Sequence, residues 1–193
     1  MAQTSTTIKS ATTHKSTITG TVISFSQTGT EYKILSSNTA TTSLASFEKG
    51  DLITVTGTND NNKTFTVKSV ASNGSNIIVE EAVTTAAAGA SVSLDYVGFV
   101  TSKYEGDGYY SQVDGIHTVA YHVNSTMTGS IKMQGSLATT PTEDDWFDIS
   151  GTTFTADQST LVDSKNFTGN FVWVRAKCTA MTAGSVSKIL YNH

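Results

Sequence analysis

Short runs in which apolar and polar residues alternate recur along this chain, separated by Gly, Asn, Asp and Ser clusters. A period of two is the signature of half-buried β-strands. Thr19-Gly20-Thr21-Val22-Ile23-Ser24-Phe25 reads as one strand and Tyr32-Lys33-Ile34-Leu35 as a second, joined through Gln27-Thr28-Gly29-Thr30. A short helical turn is predicted over residues 44–47. Leu52-Ile53-Thr54-Val55-Thr56 and Thr64-Phe65-Thr66-Val67-Lys68 are rich in β-branched and aromatic residues. Gly57-Thr58-Asn59-Asp60-Asn61-Asn62 between them is a hairpin signal. Strands at residues 76–80 and 90–96 complete the first half. In the second half, strands are predicted over residues 116–123, 130–137, 146–149, 170–178 and 185–191.

The pattern defines an all-β protein of two small antiparallel β domains, with less than about a tenth of its residues helical. The first domain, residues 17–100, is expected to be barrel- or sandwich-like. The second, residues 114–193, is expected to be a β-sandwich. Residues 101–113 read as a linker, because Tyr104-Glu105-Gly106-Asp107-Gly108-Tyr109 sets two glycines around an aspartate, which is turn chemistry. Residues 1–16 form a polar arm in which Ile8 is the one aliphatic residue beyond Met1 and alanines. Such an arm cannot bury enough surface to fold alone, so it frays or orders against a neighbouring subunit.

Composition narrows the function classes. Roughly 30 % of the chain is Ser or Thr, far above ordinary usage. Threonine suits a pleated surface, and hydrophobic residues at 37 % imply thin cores of the kind a sandwich can have. A net charge of -4, with 12 Lys and Arg spread along the chain, argues against nucleic-acid binding. No apolar run reaches the roughly 20 residues of a membrane helix. The first 21 residues lack the apolar centre of a secretory signal, so synthesis in a cytoplasm is expected. Cys178 is alone, which excludes an intrachain disulfide framework.

The candidate chemistry is sparse. His117 and His122 have an odd separation and so point to opposite faces of a regular strand, which prevents joint ligation of one metal. Glu143, Asp144, Asp145 and Asp148 form the densest acidic cluster and are the candidate cation ligands, although the spacing is not that of an EF-hand loop. Thr142 followed three residues later by Asp145 offers a competing role as a cap. Val172, Val174, Ala176 and Cys178 share one parity and are assigned to the core. Phe171, Trp173 and Arg175 share the other, a composition enriched at protein interfaces, and are the candidate partner contacts, the underside of a covering loop or a platform on which a sugar stacks. No nucleophile elbow, phosphate loop or separated carboxylate pair is evident, so no catalytic residue and no cofactor is expected.

Phe47-Glu48-Lys49-Gly50-Asp51-Leu52-Ile53-Thr54-Val55-Thr56-Gly57, the Asn-rich turn after it and Thr64-Phe65-Thr66-Val67 together resemble a small β module that recurs in tailed-phage virion proteins. In the second half, the carrying strings are Ile131-Lys132-Met133-Gln134-Gly135-Ser136-Leu137, Asp145-Trp146-Phe147-Asp148-Ile149, Thr168-Gly169-Asn170-Phe171-Val172-Trp173-Val174-Arg175 and Lys188-Ile189-Leu190-Tyr191-Asn192-His193. They resemble C-terminal domains of structural proteins from T4-like phages of marine bacteria, which look like jelly-roll, carbohydrate-binding-module-like sandwiches. The resemblance implies a non-enzymatic virion protein assembled in the host cytoplasm. Capsid decoration is the leading expectation. A tail, baseplate or fibre-attachment component and a glycan-binding adhesin are the alternatives. The implied partners are the major capsid protein or tail proteins and further copies of the chain, with a host glycan if the adhesin reading holds; nucleic acid and membrane are not among them.

Overall fold

The computed structural model describes residues 5–109 and 115–192. Strands account for 53 % of it and helical turns for 3 %, so the chain is all-β as its alternation predicts. The strands are β1 (Thr6–Lys9), β2 (Thr12–Thr13), β3 (Ile18–Gly20), β4 (Ile23–Thr28), β5 (Glu31–Ser36), β6 (Asp51–Thr56), β7 (Thr64–Val70), β8 (Asn76–Val79) and β9 (Val92–Val100). They continue with β10 (Tyr104–Glu105), β11 (Ile116–Val123), β12 (Thr128–Ser136), β13 (Phe147–Asp148), β14 (Phe154–Thr155), β15 (Val162–Thr168), β16 (Trp173–Ala183) and β17 (Ser185–Asn192). Single 3₁₀ turns occur at Asp107–Tyr109 and Glu143–Asp145.

Two compact units divide the chain, but not as a simple head and tail. An inserted unit comprises residues 15–99, and a composite unit joins the stretch up to His14 with everything from Val100 on. The expected linker is therefore corrected: Tyr104–Glu105 pairs with β16 and belongs to the composite unit, while residues 110–113 of that linker lie outside the described residues. The arm is corrected as well, save for residues 1–4, which are not described. Thr6 and Thr7 pair with Tyr191 and Leu190, and Thr12–Thr13 pairs with Val186 and Ser185. Ile8 is buried and supplies the apolar anchor, and the ladders to the last strand, with His14 N–H donating to Gly184 O at 2.9 Å, hold the backbone.

In the inserted unit the strand order is β3-β9-β6-β7-β8-β5-β4. Its edge strands are consecutive in sequence, with only Thr21 and Val22 between β3 and β4. A chain that reaches both edges of a seven-stranded sheet across two residues requires a strongly curled sheet. The sheet does not close into a barrel, which settles that alternative against closure. Beside β4 runs the segment after β8, where Phe25 and Ala86 exchange N–H···O bonds of 2.9 and 3.0 Å. The predicted hairpins are present, β4 with β5 and β6 with β7. Residues 44–47 form a turn rather than helix, closed by Phe47 N–H to Leu44 O at 3.2 Å, and both side chains plug the core.

The Phe-x-x-Gly-Asp opening has a physical explanation here. Buried Asp51 accepts from the Glu48 N–H at 2.7 Å and from Lys15 Nζ at 2.5 Å, so its carboxylate fastens the loop that leads into β6. Asn61 in the following turn acts similarly on a remote loop. Its side-chain amide donates to Thr84 O at 2.9 Å and accepts from Thr84 N–H at 2.8 Å. An Asn can do both because it carries donor and acceptor side by side.

The composite unit is a β-sandwich. One layer has the order β1-β17-β11-β15, with β2 also on β17. The other runs β13-β12-β16, with β14 on the far side of β12 and β10 on β16. Alternation along β11 places His117, Val119, Tyr121 and Val123 inward. Ile131 and Met133 of β12 and Val174, Ala176 and Cys178 of β16 are buried as well. Tyr121 crosses between the layers, stacking on Phe154 at 5.8 Å and donating its hydroxyl to Thr152 O at 2.8 Å. The assigned core strip holds at Val174, Ala176 and Cys178, whereas Val172 precedes the strand and is only half-buried. Burial pushes the Cys178 thiol up to about 12, so it sits as an inert core residue.

Candidate functional site

The outer face of β16 is where sequence reasoning put the partner contacts, and the structure fills much of that face from within the unit. Arg175, the only arginine of the chain, is 5 % exposed. Its Nη1 and Nη2 donate to Glu143 Oε1 and Oε2 at 2.7 and 2.8 Å, and Nε donates to Gln134 Oε1 at 2.9 Å. Trp146 lies over the guanidinium at 4.3 Å. A planar fork that finds a carboxylate and an aromatic face is used as only Arg can be. Phe171 is likewise buried, tilted against His117 at 5.6 Å and Phe147 at 6.0 Å. Two glycines fix its ring: a Cβ on Gly135 would lie 2.6 Å from Cδ1, and one on Gly169 2.4 Å from Cζ. Phe171 and Arg175 are thus structural members of the fold, covered from within their own unit, which is the covered-face alternative for these two and takes them off an open interface.

Trp173 behaves differently. Its Nε1 donates to Thr139 O at 3.0 Å, yet the residue remains partly exposed. Tyr109, 48 % exposed, packs its ring 5.1 Å away, and Lys103 stands 3.9 Å over the indole. Leu137, one residue beyond the partner of Trp173 in the β12–β16 register, is 64 % exposed. Trp173, Tyr109 and Lys103 thus make an aromatic patch with a cation over it. Tyr109 and Leu137 were not singled out from sequence. Nothing in their local spacing marks them; Tyr109 reaches Trp173 from the 3₁₀ turn that follows β10, the strand paired with β16.

Three members of the acidic cluster are dispersed into separate tasks. Glu143 pairs with Arg175, which holds its carboxyl below the usual range against the opposing effect of burial. Asp145 accepts from the N–H and the hydroxyl of Thr142 at 2.7 and 2.8 Å, the capping role its spacing suggests, and these bonds lower its pKa. Asp148 pairs with Lys132 and accepts from Gln134 Nε2 at 2.9 Å. Asp144 is exposed. Among the described residues no three His, Cys, Asp or Glu side chains gather in a way that could hold a metal ion. His117 and His122 fall on opposite faces, as their odd separation predicts. His117 is buried; because a carbonyl can only accept, its Nε2–H donates to Gly169 O at 2.8 Å, and the Tyr191 hydroxyl donates to Nδ1 at 2.8 Å.

The Glu143–Arg175 pair carries a pH signature. Glu143 has a folded pKa below its unfolded value, so its stabilising effect is complete above about pH 5 and is lost as pH falls through the folded value. Glu143→Gln should therefore lower the midpoint of thermal unfolding at neutral pH and converge on the wild type in acid. The carboxylate is nearly half exposed, so after screening the loss is about 1 kcal/mol or less. An unfolding difference that stays constant down to pH 3 would show that the charge of Glu143 is not what Arg175 uses.

A second feature of this unit is a cleft of about 470 Å³ between β13 and β15, at one margin of the sandwich. It is bounded by Phe147, Asp148 and Ser150 on one side and Asn166 and Thr168 on the other, with Phe171 at its base. Phe147 is 43 % exposed.

No protein-family model matches the chain, and no curated protein matches it significantly.

Proposed function

We propose that this chain is a non-enzymatic structural protein of a tailed-phage virion, acting as a capsid-decoration protein held on the particle by protein–protein contacts. The two resemblances in the sequence support the class. The patch of Trp173 and Tyr109 supports the contact role, because a partly exposed Trp beside an exposed Tyr is the composition of interface hot spots. The indole is held in one orientation by its bond to Thr139 O, so little side-chain entropy remains to be lost on binding.

The test uses particles assembled without the wild-type chain. Purified wild-type protein should bind them, and Trp173→Ala should bind about 30-fold more weakly, the equivalent of roughly 2 kcal/mol. Tyr109→Ser, at a residue 48 % exposed in the free chain, should weaken binding with little change in thermal stability. Full occupancy by both variants at wild-type affinity would remove the patch from the interface. Electron microscopy of the reconstituted particle separates decoration from the runner-up: density on the tail or baseplate instead of the capsid would transfer the same contact to a tail component.

A further inference from the structure

We propose that Lys15 and Asp51 condense into an intramolecular amide, an isopeptide bond, with Glu48 as the proton carrier. The three groups meet within the inserted unit. Lys15 Nζ lies 2.5 Å from Asp51 Oδ2, and the two side chains are 10 % and 0 % exposed. Glu48 Oε1 stands 3.7 Å from the same ammonium. Aromatic residues border the pair. Lys15 Nζ is 5.5 Å from the centre of the Tyr96 ring, Asp51 is opposite Phe99 in the β6–β9 register, and both aromatics are buried. Other ion pairs of the chain, Lys33–Glu31 and Lys68–Glu80 among them, have both partners open to water.

A buried ion pair loses the hydration of both ions, and mutual attraction offsets that loss only when the geometry is very good. Condensation removes the two charges and leaves a neutral amide. The nucleophile and the electrophile already touch, and Asp51 Oδ2 is further held by the Glu48 N–H at 2.7 Å. Fixed proximity of this kind turns a bimolecular reaction into an effectively unimolecular one.

The steps balance without a co-reactant. A proton passed from the Lys15 ammonium to the Asp51 carboxylate leaves an amine against a carboxylic acid. The Nζ lone pair attacks Asp51 Cγ, and the carbonyl electron pair moves onto Oδ2, where the Glu48 N–H donates to the oxyanion. The Glu48 carboxylate takes a proton from Nζ and returns it to the departing hydroxyl. One C–N bond forms, one C–O bond breaks, one water leaves, and nothing is oxidised or reduced. The Glu48 side chain is 61 % exposed, so it connects the buried pair to the solvent that receives the water. Burial then shields the product from hydrolysis. The event occurs once per chain and is maturation, not turnover. It ties the first residue of the inserted unit to the first residue of β6, 36 positions on, in a chain whose single cysteine offers no disulfide.

Intact-mass spectrometry of the purified full chain tests the proposal. The folded protein should weigh one water less than its unmodified chain, and trypsin should leave Lys15 uncleaved in a branched peptide joined to Asp51. Lys15→Arg retains a cation beside Asp51 but has no amine, and it should show the unmodified mass. Glu48→Gln preserves the backbone N–H and alters an exposed side chain, so it should fold normally and form the bond at least about tenfold more slowly. Wild-type protein that keeps its full mass after prolonged incubation in the folded state would overturn the proposal and leave the pair a salt bridge. A loss of water that persists in Lys15→Arg would also overturn it, because the modification would then lie elsewhere in the chain. Bond formation at the wild-type rate in Glu48→Gln would overturn the role given to Glu48. Each readout is made on the isolated chain, so it stands apart from whether the chain decorates a capsid.

Discussion

Val174→Asp should lower the stability of the composite unit by about 3–5 kcal/mol, enough to unfold a unit of ordinary marginal stability. Val174 is 0 % exposed, pairs with Gly135 on one side and Tyr104 on the other, and shares the inward parity of Ala176 and Cys178. A carboxylate there has no partner and cannot reach water without opening the sheet. It must either stay ionised in an apolar layer or take up a proton, and both cost free energy. Val172→Asp is the control, since Val172 is half-buried and outside the strand, and it should cost much less. Urea denaturation of both variants checks the expectation; equal effects would mean that the boundary between buried and covered positions on β16 is misplaced.

Gly57→Ala should be the most damaging single methyl in the inserted unit. Gly57 has φ +84°, in the region that costs an L-residue about 1–2 kcal/mol. A Cβ would also stand 2.1 Å from Ser91 O, a backbone atom that cannot rotate away. Thr56 pairs with Ser93 in the β6–β9 ladder, so relief would require the end of that ladder to part. Adding strain of about 1–3 kcal/mol for a forced backbone shift gives a total of roughly 2–5 kcal/mol. Gly29→Ala provides the comparison: φ is +61° but nothing lies within 4 Å, so only the conformational cost applies. If both variants unfold at the same denaturant concentration, the close approach to Ser91 does not matter.

Strands that alternate strongly could be read from the chain. Residues 116–123 form β11 as their alternation predicts, and the β4–β5 and β6–β7 hairpins follow from their turns. What escaped was set by partners distant in sequence. β15 reads Val-Asp-Ser-Lys-Asn-Phe-Thr and buries only Phe167, since an edge strand at a sandwich margin has little apolar demand. β1 is equally polar and exists because β17 supplies its hydrogen bonds across nearly the whole chain. The face of β16 was divided correctly by parity but not by exposure. A strand shows two faces in its sequence, and a later loop decides whether the second is open. One clue was available: a lone arginine at an alternating strand position calls for a planar acidic partner, and Glu143 lies in the densest acidic cluster.

The pairing of β1 with β17 also has a mechanical meaning. Thr6 faces Tyr191 in an antiparallel ladder, so the two ends of the described chain leave from the same end of one strand pair. Tension applied between them would peel these bonds apart one after another, as a zipper opens, rather than shear them together. While the zipper holds, the load passes from end to end through β1 and β17 alone, and residues 15–99 feel no pull at all. In single-molecule stretching the first event should be this low-force opening, with the inserted unit extending only after it.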